Sequence, residues 1–124
     1  MSYVDGFVIP VPSSNREAFV AHARQFDELL VAEGALRVVE CWGSDVPHGK
    51  VTDFFGAVKA GDGETVCFSW IEWPDKATRD AAHTRMQARM ESGEMPSGMH
   101  DMPFDGKRMI FGGFEVVVDI GDTA

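Results

Sequence analysis

A chain of 124 residues that is 44% hydrophobic fits one globular domain spanning 1–124, and none of its apolar runs approaches the ~20 residues a membrane span needs. Acidic residues outnumber basic ones 20 to 11, a net charge of −9, so the overall field repels polyanions and disfavours nucleic acid as a partner. The start of the chain has neither a basic n-region nor a long apolar h-region, so a cytoplasmic location is expected.

Residues 3–11 are rich in Tyr, Val, Phe and Ile and run into Pro10 and Pro12, which reads as a strand ended by proline. Ser14 and Glu17 then form an S-x-x-E capping box. Phe19, Ala23, Phe26 and Leu30 follow as one apolar stripe, and Gly34 closes the helix. Arg16, Arg24, Asp27, Glu28 and Glu33 are expected to cover mostly the opposite face. Residues 36–42 read as a second strand and 44–50 as a turn-rich loop. Thr52 is placed as the cap of a short helix, with a strand as the alternative. Residues 65–73 form the clearest strand, by aromatic and β-branched content, and Pro74 stops it. Asp75 caps a second long helix with Thr78, Ala82, Met86 and Met90 on its inner stripe and Gly93 at its end. Residues 94–106 form a Met- and Pro-rich loop that reads as a lid or as a seal over one end of the fold. Residues 107–118 make the last strand, in which the pair Gly112-Gly113 signals a bulge or a close approach.

The order strand, helix, strand, strand, helix, strand defines an α+β fold. It is the ferredoxin-like βαββαβ arrangement, with a four-stranded antiparallel sheet and two helices on one face. Trp42, Trp70, Phe7, Phe68, Phe111 and Phe114 cannot all hide beneath two helices. The open face of the sheet is therefore expected to meet a second copy, giving a homodimer.

Four stretches carry a resemblance: YVDGFVIPVP at 3–12, VVECWGSDVPHGKVTDF at 38–54, ETVCFSWIEWPDKATRD at 64–80 and MPFDGKRMIFGGFE at 102–115. In order and across nearly the whole chain, they resemble the YbaA-like family of bacterial domains of unknown function. The resemblance implies the dimeric α/β-barrel superfamily, in which two ferredoxin-like subunits press their sheets together to form a barrel. Relatives there include cofactor-free monooxygenases, isomerases, haem enzymes and stress-response proteins, so fold alone does not assign a role. Some family members carry a label tied to signal-recognition-particle RNA, which the acidic charge of this chain does not favour.

Polar residues inside apolar strands are the candidates for chemistry. Asp5, Glu40 and Arg108 form the expected catalytic set: a carboxylate base in an aromatic-walled pocket and a cation to hold an oxyanion. Trp42 and Trp70 would stack on a flat substrate, with Ser69 and His22 as further substrate-binding candidates. The plainer reading pairs the carboxylates with Arg37, Arg108 or Lys107 and leaves both tryptophans as packing. Cys41 and Cys67 lack any zinc spacing and read as small buried hydrophobes, although pairing of their segments could bring the thiols face to face. No metal, phosphate-loop or nucleophile motif is recognised, and no cofactor is expected. The function this supports is binding of a small molecule, or cofactor-independent catalysis on a small aromatic or carbonyl compound. A non-catalytic stress-response or assembly module is the alternative, and an RNA-associated role is weaker.

Overall fold

The first strand, β1 (Tyr3–Pro12), buries Tyr3, Asp5, Ile9 and Val11 at odd positions, and this period of two fixes which face meets the helices. A computed structural model describes residues 2–94 and 102–121. After a single 3₁₀ turn at Ser13–Asn15 comes helix α1 (Arg16–Ala32), then β2 (Arg37–Trp42). A one-turn helix α2 (Phe54–Ala57), strand β3 (Glu64–Trp73), helix α3 (Lys76–Ser92) and strand β4 (Ile110–Glu115) complete the order. The strands form one antiparallel sheet in the order β2-β3-β1-β4, the arrangement expected of a ferredoxin-like fold.

The core lies between the sheet and the two long helices. Phe19, Ala23 and Leu30 of α1 and Ala82 of α3 are buried against Trp73, Ile71, Cys67 and Val11, and Met86 of α3 is buried as well. Apolar spacing, rather than propensity alone, therefore docks both helices. Met90, expected on the inner stripe of α3, is half-exposed instead.

The ends of the helices correct two expectations. The capping box at Ser14 and Glu17 does not form: Ser14 lies within the 3₁₀ turn, and Asn15 at the helix start donates through Nδ2 to the Pro103 carbonyl at 2.9 Å. Asp53 rather than Thr52 caps α2, its Oδ1 accepting from the Gly56 amide at 2.6 Å. The Asp75 cap on α3 forms as expected, accepting from the Thr78 amide at 2.7 Å. Gly34 leaves α1 at φ +119, a left-handed conformation that suits glycine.

Strand β4 is shorter than the expected 107–118. Its pairing with β1 ends where β1 ends, at Tyr3↔Glu115, while Arg108 is drawn out of the strand into side-chain contacts. The Gly112-Gly113 pair makes no bulge, because the register runs unbroken from Val8↔Ile110. It marks a close approach: a Cβ on Gly113 would collide with the Tyr3 ring, with Cε2 at 2.8 Å.

The cysteines do not face each other. Cys41 is opposite Phe68 and Cys67 opposite Trp42, so adjacent register positions send the two side chains to opposite sides of the sheet. Burial pushes the Cys67 thiol up to about 12, which makes it a packing residue.

Candidate functional site

Between α1 and β2 lies a cleft of about 380 Å³, large enough for a small ligand. Alternation along β2 turns Glu40 and Trp42 towards the helices, while Phe19, Ala23 and Asp27 line α1 at spacings of four. Arg16 and Arg24 stand along the same helix wall, and the Arg16 guanidinium lies 5.6 Å from the Trp42 ring centroid. Phe19 meets Trp42 at 5.9 Å between centroids. Ser69 is buried directly opposite Glu40 on β3.

The chemistry of this cleft rests on Asp27 and Glu40. Burial, a hydrogen bond to Glu40 and repulsion from that carboxylate push the Asp27 carboxyl up to about 9. Asp27 thus keeps its proton at neutral pH. Glu40 Oε1 is buried and receives no N–H or hydroxyl donor among the described residues, which leaves the Asp27 carboxyl as the hydrogen-bonding neighbour of that side chain. A carboxylate has more acceptor sites than one neighbouring carboxyl fills, so Glu40 keeps capacity for a donor from outside. The pair also has a sign in stability. A carboxyl protonated when folded and ionised when unfolded makes stability fall as pH rises from about 4 towards about 9.

Sequence reasoning missed Asp27 by assigning it to the solvent face of α1. The available signal was position: Phe19, Ala23 and Asp27 continue one helical row.

The other expected residues fall elsewhere. Asp5 is on the helix side of β1, 2% exposed, where it accepts from Trp73 Nε1 at 3.0 Å and from Arg79 Nη2 at 2.9 Å and Nε at 3.1 Å. His83 Nε2 also lies 3.1 Å from its Oδ2. Asp5 and Glu40 are two strands and two residues of register apart, roughly 12 Å at ordinary strand spacing. Arg108 clasps Glu64 through two bonds of 2.7 Å, reaches Asp105 at 3.0 Å and donates to the Lys59 carbonyl. That guanidinium holds Glu64 down at about 2. Asp5, Glu40 and Arg108 therefore do not converge. Each has its own neighbours, and Glu40 alone of the three lines a cleft.

His22, on α1, sets its ring edge-on to Phe104 at 6.0 Å and is not among the cleft walls. Trp70 points from the opposite face of the sheet, its Nε1 donating to Glu72 at 2.9 Å. On that face, Gly6 and Gly112 pair to floor a trough of about 480 Å³ walled by Phe68, Trp70, Ile110 and Phe114. It is almost wholly apolar, and Phe114 is 59% exposed.

Arginines that could have formed a basic stripe on α3 are occupied. Arg79 pairs with Asp5 and Asp80, and Arg85 and Arg89 both pair with Glu33 of α1. Among the described residues no group of three or more His, Cys, Asp or Glu could hold a metal ion, and no helix is long and apolar enough to cross a membrane. The reading of 94–106 as a lid rests on residues of which 95–101 lie outside those described.

A ferredoxin-like sheet with one helix-covered face, one bare apolar face and a cleft beneath its first helix defines the class of protein. The chain belongs to the family described as protein of unknown function (DUF1428), whose model matches residues 2–106. It is 54% identical over 119 residues to the uncharacterized protein YbaA of Escherichia coli K12, covering 96% of this chain and 99% of that one. The same figures hold for YbaA of Shigella flexneri. Among solved structures, a dimeric ferredoxin-like protein from an uncultured marine organism covers 97% of this chain and all of its own at a TM-score of 0.56. With 10% identity, that likeness is one of fold.

Proposed function

We propose that this protein is a cytoplasmic homodimer that binds a small flat phenol or enolisable carbonyl compound in the cleft between α1 and β2, and acts on it without a cofactor. The observation that carries this reading is the acid pair itself. Glu40 offers a buried carboxylate whose hydrogen-bonding neighbour in the cleft is a carboxyl that retains its proton, with acceptor capacity left over.

In this reading Glu40 Oε1 accepts a proton from the phenolic O–H or from the carbon next to the carbonyl. The electron pair left behind stays on the ligand oxygen as a phenolate or enolate. Arg16 and Arg24 lie on the cleft wall where cations lower the cost of that charge. Trp42 supplies the flat surface for stacking, and Ser69 supports the floor beside Glu40. Asp27 holds the neighbouring proton and keeps a second negative charge out of the cleft. Asp5 and Arg108, expected as partners of Glu40, are assigned to holding the fold, because each is engaged by several groups of its own.

The homodimer reading is supported by the apolar trough on the open face and by the dimeric state named for the marine neighbour. A non-catalytic assembly module is the second reading. It is favoured by the saturation of Asp5 and Arg108.

The two are separated by ligand binding and proton exchange. At a ligand concentration about a hundred times its dissociation constant, the native state gains about 2.7 kcal/mol, which raises the melting point. Phenol and 1,3-dicarbonyl compounds are expected to produce such a shift in the wild-type protein and none in Trp42→Ala. Exchange of the acidic hydrogens of a dicarbonyl with deuterated solvent, followed by proton NMR, is expected to accelerate with the wild type and not with Glu40→Gln. Absence of any shift together with no acceleration would leave the assembly module as the answer.

A further inference from the structure

The chain does not stop being apolar where β4 stops being a strand. Residues 116–120 read VVVDI, and Val117, Val118 and Ile120 are 88%, 71% and 90% exposed. The Val116 amide donates to the Ser2 carbonyl at 3.4 Å, so the segment carries the β1 register one step further. Ile110 and Phe114 face the bare side of the sheet, and these exposed residues follow directly where β4 ends at Glu115. Among the described residues no strand pairs with the chain beyond Tyr3↔Glu115.

Area gives the occupant. Four strands about 4.8 Å apart, with lengths averaging about eight residues, present a footprint of roughly 500 Å², below the ~800 Å² per partner of a standard interface. The apolar segment that begins two residues beyond Phe114 adds to that area.

We infer that residues 116–120 are an arm of the dimer interface, docking their exposed apolar side chains against a second copy of this chain. The inference rests on the homodimer proposed above and goes beyond the sheet face. The arm reaches past its own subunit, so each copy completes a surface that the other leaves bare. Being β-branched, the segment is suited to add to the partner in extended form.

Sedimentation velocity over about 1 to 100 µM tests it on the full chain. The double variant Val118→Lys/Ile120→Lys is expected to raise the dimer dissociation constant by about 30-fold or more. Lysine is the stringent choice, because added positive charge would otherwise ease association of so acidic a protein. Val31→Lys, on the exposed side of α1 and so away from the bare sheet face, is expected to leave the constant near the wild-type value. Circular dichroism is expected to be unchanged in both variants, since the altered side chains are exposed. An unaltered constant in the folded double variant would overturn the arm, as would an equal loss in Val31→Lys. A wild-type protein that stays a single chain throughout the range would instead overturn the homodimer on which the arm rests.

Discussion

Asp5→Ala is expected to lower stability by about 3–5 kcal/mol, the range for breaking a buried ion pair by removing one partner. The Asp5 side chain is 3% exposed and Arg79 only 19%, so solvent cannot take over the lost contacts. Its removal strands a guanidinium, the Trp73 indole N–H and the His83 imidazole at one point between β1, β3 and α3. Arg79 also lies over the Tyr3 ring at 5.3 Å, so the loss spreads to the packing that Gly113 makes room for. For a domain of this size a change that large lowers the melting point by roughly 10–25 °C. Asp5→Asn keeps an acceptor for the indole but loses the charge, and is expected to fall between wild type and Asp5→Ala. Calorimetry at neutral pH checks both. A fall of under about 3 °C in Asp5→Ala would contradict the view that this carboxylate anchors α3 to the sheet.

The second large effect concerns association. Phe68 and Phe114 stand on the bare face at 45% and 59% exposure, on either side of the glycine-floored trough. Neither is part of the helix-covered core. Replacing both with Asp is therefore expected to leave the fold intact while placing two charges in the centre of the proposed interface. Central aromatic anchors are commonly worth about 2 kcal/mol or more each, so the pair is expected to weaken the dimer by roughly a thousandfold. Light scattering across a dilution series gives the constant, and circular dichroism confirms the fold. A folded double variant that associates as tightly as wild type would remove the open face from the interface.

The architecture was readable because it depends on local signals. The aromatic and β-branched content of β1 and β3, the Asp75 cap and the glycines at 34 and 93 each act within a few residues of themselves, and together they set the order of elements. The site was harder to read. Asp5 is partnered by Arg79 and His83, 74 and 78 residues further along the chain, and no spacing rule links them. Arg108 is drawn to Glu64 across 44 residues for the same reason. Alternation put Glu40 and Trp42 on one side of β2 but did not say which side the helices cover. Asp27 was assigned to solvent, the simplest place for a charged residue on an amphipathic helix, and only the opposing carboxylate gives it a reason to turn inward. The apolar arm escaped notice because its residues read as a continuation of β4; the register on β1, not the composition, decides where that strand ends.

The acid pair in the α1–β2 cleft is the centre of the functional proposal, and carbon NMR titration of the Asp27 carboxyl tests it most directly. The expected midpoint is about 9, with the proton retained throughout the neutral range. A midpoint near the ordinary aspartate value of about 4 would mean two solvated carboxylates with no shared proton, and the cleft would lose its chemistry.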